Sequence, residues 1–390
     1  KLAGKYRLMV KRELLHSIFG PVMRVGQKVY ALRYAGMNQF RQLEQWYRMG
    51  QAKNLKTFKE AMRIQALSMF NTGYGDKEGN IFYVYNALLP KRLPGRDWSG
   101  VLKGSSKELI WNEYLSFDEL PQVENPDSGF LQNCNSNPFK TTAGEGNPDE
   151  LKYPGSHGIE KSMTNRARRA LELYGGDDSI TREEFFQYKY DKIYGPDSKL
   201  RKLIKEFLDN VEANKDLKEE LDLVSQWDGS LDKDNKSAAI TLLTFRPRSN
   251  TGKLKSNPKR TLEQLREASE SLRKNFGQID VEWGKVNRLV RGDKSFPLGG
   301  GSDTLRAIYG EPQADGTLSA KAGDCFIQFV EWDETGNLQA WAIHQFGSAT
   351  ADSKSKHFND QSTLFSQEKA RRTHFSREEV LANSKNVYKP

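Results

Sequence analysis

The 390-residue sequence contains few of the residues that build disulfide or metal frameworks, with two cysteines and five histidines. Cys134 and Cys325 lie far apart and belong to no Cys-x-x-Cys or Cys/His cluster, so neither a disulfide framework nor a zinc site is indicated. No stretch approaches the roughly 20 apolar residues of a membrane-spanning helix, and residues 1–17 lack the apolar core and cleavage site of a signal peptide. We therefore expect a chain without a membrane span.

A strong excess of one charge is also missing, since 60 Lys and Arg face 51 Asp and Glu for a net charge of +9. Short basic runs occur at 166–170 and 258–260, but no sustained basic block is present. This pattern is typical of a solvated surface of mixed sign, and we expect no nucleic-acid partner. The first residue is Lys rather than Met, and we expect that the sequence does not start where its gene starts.

Strand-like and helix-like segments alternate in blocks along the chain, which favours an α+β fold over a parallel β-α-β sheet. Two hairpins are predicted, at 69–90 around the turn 76–80 and at 325–346 around DETGN, and further strands are predicted at 279–284 and 287–292. Long loops with short strands, including 108–115 and 129–135, are predicted between Pro90 and Pro154. No internal repeat is visible, and we predict a single domain over 1–390.

Helical spacing predicts helices over 38–49 and 54–68 and a helix-rich section over about 161–276. Capping boxes mark two helix starts within that section, Thr181 with Glu184 and Thr261 with Gln264. The polar stretch before the second box, PRSNTGKLKSNPKR, is typical of a linker.

The common catalytic and metal-binding motifs are absent, including GxSxG, HExxH, GxxxxGK[ST] and GxGxxG. The glycine-rich run at 297–307 lacks the lysine and hydroxyl of a phosphate cradle, and it predicts a tight turn into a helix capped by Ser302 or Asp303. A calcium-like loop at 227–237 has Lys236 at a ligand position, and the histidines show no metal-like spacing. From the residues, no metal ligand and no nucleophile with its base is identified.

The string GFLQNCNSNPF (129–139) is unusual because several side-chain amides lie two or three residues apart. In an extended segment Asn133 and Asn135 would project to the same face, and an amide NH₂ there is a suitable neutral donor for a developing oxyanion. The alternative is an Asn-rich turn that hydrogen-bonds its own backbone.

This string belongs to a collinear series that resembles the penicillin amidase family of N-terminal nucleophile (Ntn) hydrolases, with most similarity to the acyl-homoserine lactone and cyclic lipopeptide acylases. The resemblance runs from about residue 15 to residue 378. It rests on nine strings: HSIFGPV (16–22), VYALRYAG (29–36), LEQWY (43–47), MFNTGYGDKEGNIFYV (69–84), GFLQNCNSNPF (129–139), TNRARRALELY (164–174), GGGSDTLRA (299–307), GDCFIQFVEW (323–332) and KHFNDQSTLFSQEK (356–369).

The resemblance implies an αββα sandwich with a helical insertion, an α chain and a β chain cut from one precursor, and a covalent acyl-enzyme. In that family the first residue of the β chain, usually Ser, is nucleophile and base through its α-amine. The HSIFGPV string follows that residue by roughly a hundred positions in the family. We therefore expect a partial β chain that lacks the nucleophile, is inactive alone, and has as partners the α chain and the N-terminal part of the β chain.

Five residues match functional positions of the family. Asn135 matches the second oxyanion-hole donor, and Arg166 matches an arginine that organises hydrogen bonds around the nucleophile's amine; its alternative is a helix-surface arginine. Trp46, Met69 and Phe70 match positions that line the acyl pocket of the lactone acylases, where Met69 and Phe70 replace Trp-Val. Their alternative is ordinary core packing.

The expected function is hydrolysis of N-acyl amides with an apolar acyl group, such as acyl-homoserine lactones. The alternatives are a penicillin or cephalosporin acylase and an inactive binding protein of the same fold. No cofactor is expected; a structural calcium is possible in the family, but no ligand set is identified here. The family implies a periplasmic or secreted location.

Overall fold

The computed structural model describes residues 13–104, 106–211, 215–245 and 258–387. The chain divides into two compact units, Lys1–Ser162 and Met163–Pro390. The predicted linker lies outside the described residues from 247 to 257. Both units combine helices with small, mostly antiparallel sheets, so the predicted α+β class is confirmed. The single domain over 1–390 stays a prediction.

Over residues 13–104 and 106–162, the first unit contains two three-stranded sheets and a pair of α-helices. One sheet is a meander in the order β1-β2-β3 and the other has the order β4-β5-β6, both antiparallel throughout. The elements are β1 (Leu15–Ser17), β2 (Gly20–Val25), β3 (Lys28–Ala31), α1 (Gln42–Gln51), α2 (Leu55–Met62), β4 (Met69–Gly75), β5 (Ile81–Ala87) and β6 (Gln122–Glu124).

A buried glutamine joins α1 to the segment that leads into β4. Gln45 is fully buried, and its Oε1 accepts hydrogen bonds from the backbone N–H groups of Ala66 (2.7 Å) and Leu67 (2.9 Å). Because a buried amide left without partners costs free energy, this bonding fixes the chain that enters β4. The second predicted helix ends earlier than expected, at Met62, and Gln65 has a left-handed φ of 47°.

The first predicted hairpin is confirmed by β4 and β5, which pair from Met69 opposite Ala87 to Gly75 opposite Ile81. Asp76 closes the turn because its Oδ1 accepts hydrogen bonds from the backbone N–H groups of Glu78 and Asn80. By contrast, the strands predicted at 108–115 and 129–135 are wrong. The first contributes only an isolated bridge between Pro90 and Tyr114, and the second is irregular.

In the second unit, the described parts of the predicted helix-rich section contain six α-helices. The capping box of Thr181 and Glu184 is confirmed at the start of α4, whereas α8 begins at Pro258, so the box predicted at Thr261 is wrong. Sequence spacing did not predict α7, which is buried along nearly its whole length. The helices are α3 (Asn165–Gly175), α4 (Arg182–Lys189), α5 (Lys199–Asn210), α6 (Lys218–Gln226), α7 (Ala238–Phe245) and α8 (Pro258–Phe276).

The remainder of the second unit forms a four-stranded sheet in the order β8-β7-β10-β9 and a three-stranded sheet in the order β11-β12-β13. The predicted hairpin around DETGN is confirmed by β11 and β12, but residues 279–284 form no strand and lead instead into α9. The elements are α9 (Trp283–Val286), β7 (Asn287–Arg291), β8 (Lys294–Pro297), β9 (Ile308–Pro312), β10 (Leu318–Gly323), β11 (Phe326–Trp332), β12 (Leu338–His344), α10 (Ser362–Ser366), β13 (Arg371–Arg372) and α11 (Arg377–Ala382).

Candidate functional site

A cavity of about 700 Å³ lies within the first unit against the β4–β5 hairpin. Because side chains alternate along a strand and cross-strand neighbours share a face, one face of the hairpin carries Met69, Asn71 and Gly73 of β4 beside Tyr83 and Tyr85 of β5. All five line the cavity. The other lining residues are Phe70, Leu131, Gln132, Asn133, Asn135, Ser136 and Glu160.

Glycine 73 opens this face of the hairpin. It lies directly opposite Tyr83 in the strand register, and a Cβ added to it would meet no atom within 4 Å. The space that a side chain would occupy therefore belongs to the cavity. Tyr83 is 2% exposed, and its phenol donates a 2.5 Å hydrogen bond to Oδ1 of Asn71. Burial raises the pKa of Tyr83 far above its usual value, so the phenol stays protonated as a donor.

The string QNCN bends instead of running extended, which corrects our prediction for 129–139. Bends fall at Cys134 and Asn135, and Asn135 has a left-handed φ of 55°. The turn is closed by Asn133, whose Oδ1 accepts a hydrogen bond from the Asn135 N–H (3.1 Å) and whose Nδ2 donates to the Ser136 carbonyl (3.4 Å). Asparagine tolerates the left-handed region and forms such turns readily, so the alternative of a self-bonded turn is confirmed for Asn133.

The two asparagines, Asn133 and Asn135, therefore have different surroundings. The Asn133 side chain hydrogen-bonds the backbone of the turn. Asn135 is exposed and lines the cavity. The two side chains therefore do not act as an alternating pair on one strand face. The donor that the sequence predicted at 135 is held by a turn rather than by a strand.

The three residues predicted to bind the acyl group lie together in the first unit. Met69 and Phe70 line the cavity with exposures of 77% and 53%, and Trp46 packs edge-on against Phe70 with ring centroids 6.0 Å apart. Trp46 is itself 49% exposed. All three side chains are therefore exposed in this chain, and two of them, Met69 and Phe70, share the cavity lining with Asn135. Their role in binding an acyl group stays a prediction.

Arg166 belongs to the second unit, at the first turn of α3. Its side chain is 19% exposed, and its Nε lies 3.5 Å from the Asp303 carboxylate. The same carboxylate accepts hydrogen bonds from the backbone N–H groups of Asn165 (2.9 Å) and Arg166 (3.4 Å). Thr164 is the N-cap of α3, through the Ala167 N–H. Asp303 adds two further hydrogen bonds to the first turn and orients Arg166, because a carboxylate at a helix N-terminus satisfies free N–H groups. The role of Arg166 near the nucleophile stays a prediction.

The glycine-rich loop explains how Asp303 reaches α3. The loop at 297–307 forms no helix, which corrects our expectation that Ser302 or Asp303 caps a helix of its own. Gly300 has a left-handed φ of 82°, and a Cβ there would stand 2.2 Å from the Arg306 carbonyl oxygen, so only glycine fits. This positioning role of Asp303 was missed because the helix turn that it hydrogen-bonds lies 138 positions away in sequence.

We expect Asp303→Gly to destabilise the second unit by about 1 kcal/mol, because the first turn of α3 loses two hydrogen bonds. Glycine is chosen because Asp303 has a left-handed φ of 66°, where alanine would add strain. The measurement is guanidinium chloride unfolding of the variant beside Asp315→Ala, whose carboxylate bonds only its own turn at Thr317. Equal losses in both variants would contradict a special role for Asp303.

Among the described residues, no group of three or more His, Cys, Asp or Glu side chains is placed to hold a metal ion. Within the same ranges, no helix combines the length and apolarity needed to cross a bilayer.

A family model described as "Penicillin amidase" matches residues 3–382. An acyl-homoserine lactone acylase, PvdQ, of Pseudomonas fluorescens strain Pf0-1 is 23% identical over 432 aligned residues, which cover 96% of this chain and 54% of that protein. Penicillin G acylase of Escherichia coli is 36% identical over 95 residues, covering 24% of this chain and 11% of that protein. Nearly the whole of this chain matches these PvdQ relatives, but it spans only about half of their length.

Among solved structures, the thermostable penicillin G acylase from Alcaligenes faecalis matches with a TM-score of 0.63 and 16% identity. The match covers 99% of this chain and 80% of that chain. At this identity the likeness concerns the fold, and it agrees with the fold class predicted from the sequence.

Proposed function

The chain belongs to the penicillin amidase family, and we propose that it supplies the oxyanion-hole donor and the acyl-binding rim of an acylase that hydrolyses N-acyl amides. The observation that carries the proposal is that Asn135 lines the same cavity as Met69 and Phe70. An amide carbonyl held beside Asn135 would have an apolar surface within reach for its acyl group.

In the proposed mechanism, the α-amine of an N-terminal nucleophile accepts the proton of its own hydroxyl, which attacks the amide carbonyl. A free α-amine titrates near ~8 and is a competent base near neutrality. Asn135 Nδ2 donates to the oxyanion that develops, and Arg166 orients the groups around the amine. We place the nucleophile in the part of the relatives' length that this chain does not cover, and we expect the chain alone to be inactive.

We propose acyl-homoserine lactones as substrates, because the relatives matched along nearly the whole chain are named for them. The match to Escherichia coli penicillin G acylase, 36% identical over 95 residues, supports a penicillin acylase as the second candidate. By the resemblance, the partners are an α chain and the N-terminal part of the β chain, and the location is the periplasm or the medium.

The test is to assay the complete gene product, and this chain alone, on long-chain acyl-homoserine lactones and on phenylacetyl amides. Release of homoserine lactone by the complete product supports the proposal. Cleavage of phenylacetyl amides without cleavage of the lactones would favour the second candidate. No turnover of any amide by correctly processed protein would instead support an inactive binding protein.

Trp46→Ala is expected to lower kcat/KM for long acyl chains about ten-fold and for short chains by less than three-fold. The ring contributes apolar area that only a long chain reaches, and its contact with Phe70 shapes the rim. The measurement is kcat/KM across a series of acyl lengths for the complete product. Tyr47→Ala, a neighbouring exposed aromatic of α1, is the matched control. Equal losses of kcat/KM for all acyl lengths would show that Trp46 has a structural role only.

A further inference from the structure

A buried phenol connects the β4–β5 hairpin to the turn that contains Asn135. Tyr83 lies in β5, which pairs with β4 on one side and with β6 on the other, so hydrogen bonds hold its strand at both edges. Its side chain is 2% exposed. Because protein interiors are closely packed, a buried ring on a central strand has little room to move. The Tyr83 hydroxyl group therefore occupies a fixed position relative to the hairpin.

Three side chains meet at the Tyr83 hydroxyl group. The hydroxyl group donates its proton to Oδ1 of Asn71, and the side chains of Asn133 and Thr141 are the other hydrogen-bond partners of its oxygen. Asn71 belongs to the same hairpin, whereas Asn133 and Thr141 belong to the loop that contains QNCN. The backbone N–H of Gln132 donates to the Thr141 carbonyl at 2.8 Å, which holds two parts of this loop together. The phenol thus contacts the loop at two side chains.

Asn133 links the phenol to Asn135. Its Nδ2 carries two N–H groups, one for the Ser136 carbonyl at 3.4 Å and one for the Tyr83 oxygen. Its Oδ1 accepts the hydrogen bond from the Asn135 N–H at 3.1 Å. A chain of hydrogen bonds therefore runs from Asn71 through Tyr83 and Asn133 to the backbone of Asn135.

This chain of hydrogen bonds matters because an oxyanion-hole donor must be placed accurately. The hydrogen bonds within the turn set its conformation, and the contact between Asn133 and Tyr83 sets its position relative to the hairpin. A donor stabilises the transition state when it lies about 3 Å from the developing oxyanion. A displacement of about 1 Å is enough to lower a rate by up to about 10²-fold.

We propose that Tyr83 is a positioning residue for the oxyanion-hole donor, because its hydroxyl group holds the turn of Asn133 and Asn135 against the hairpin. The inference rests on the proposed function, since it concerns the donor assigned there to Asn135. Tyr83 acts through Asn133 and does not contact the reacting atoms. Donors that are held by packing and by further hydrogen bonds are already arranged for the transition state before the substrate binds.

The first test is Tyr83→Phe, which removes only the hydroxyl group. For the complete gene product and a lactone substrate, we expect kcat to fall about ten-fold, because the donor is displaced but not lost. We expect KM to change by less than about two-fold, since the substitution acts on the transition state.

Tyr74→Phe is the matched control. It removes a phenol of the same hairpin whose hydrogen bond goes to Asp76 in the hairpin turn, and Tyr74 does not line the cavity. We expect its kcat to stay within about two-fold of the wild-type value. An equal loss of kcat in both variants, or a near-normal kcat in Tyr83→Phe, would overturn the inference.

A double variant shows whether Tyr83 acts through Asn135. Asn135→Gly removes the amide at a position whose left-handed φ of 55° suits glycine. In that background Tyr83→Phe should lower kcat no further, because the donor that Tyr83 positions is already absent. A further loss of about ten-fold would mean that the two residues act independently, and it would overturn the inference.

Hydrogen exchange of the Asn135 N–H separates a failure of this inference from a failure of the proposed function. Measured by NMR on this chain, exchange should be at least about five-fold faster in Tyr83→Phe, because Asn133 then holds the N–H less firmly. Tyr74→Phe should leave the exchange rate unchanged. If no amide is hydrolysed, the proposed function fails, yet faster exchange in Tyr83→Phe alone would support the positioning of Asn135 by Tyr83. Unchanged exchange in Tyr83→Phe would overturn it.

Discussion

Replacing Asn135 with alanine is expected to lower kcat of the complete gene product by about 10²–10³-fold while the protein still folds and is processed. Loss of one oxyanion-hole donor typically has an effect of this size, because the amide stabilises charge that exists only in the transition state. The measurement is kcat and KM for a lactone substrate, with circular dichroism and chain analysis to verify folding and processing. We expect KM to change much less than kcat.

The left-handed φ of 55° at Asn135 makes the choice of variants important. Alanine is strained there, so Asn135→Gly is the sharper variant, since glycine adopts this conformation without cost and removes only the amide. Asn135→Asp keeps a side chain of similar shape, but its carboxylate cannot donate. Both variants should lose as much activity as Asn135→Ala. Near-normal kcat in Asn135→Gly would show that Asn135 is not an oxyanion-hole donor.

Arg306→Ala is expected to destabilise the second unit by about 3–5 kcal/mol, because it removes the cation of a buried ion pair with Asp324. Arg306 is 1% exposed, and its guanidinium donates to the Phe365 carbonyl (2.7 Å) and to Asp324 (3.2 Å). It also lies over the Phe365 ring, 4.0 Å from the centroid. Guanidinium chloride unfolding measures the loss.

Arg372→Ala provides the control for this experiment. Arg372 pairs with Glu379 at 3.2 Å, but both side chains are more than a third exposed, and exposed pairs contribute about 0–1 kcal/mol. A loss for Arg306→Ala no larger than for Arg372→Ala would show that the buried group is dispensable. Arg306→Lys should remain destabilised, because one ammonium cannot reproduce the planar fork of donors.

Local patterns in the sequence were sufficient to predict those elements that have one apolar face and one polar face. The hairpins β4–β5 and β11–β12 were predicted because apolar and polar residues alternate and turn residues separate the strands. Helix α4 was predicted because its capping box is local. Helix α7 was not, since AAITLLTF is buried on all sides and therefore shows no periodicity.

The site was predictable to the extent that it depends on residue identity. The resemblance led to Asn135, Met69 and Phe70, and these line one cavity. The spacing of the amides suggested an extended strand. Instead, the Asn133 side chain accepts a hydrogen bond from the backbone N–H of Asn135, and the chain bends there. Asp303 was not found, because its role depends on a contact between distant parts of the sequence.

The bond between Asp303 and the first turn of α3 has a consequence during synthesis. Asn165 and Asp303 are separated by 138 positions, which a ribosome adds in roughly 7–28 s at about 5–20 residues per second. For that interval the N–H groups of Asn165 and Arg166 have no carboxylate to bond, and water satisfies them instead. The first turn of α3, and Arg166 with it, therefore reaches its native arrangement only after the glycine-rich loop has emerged, late in the translation of this chain.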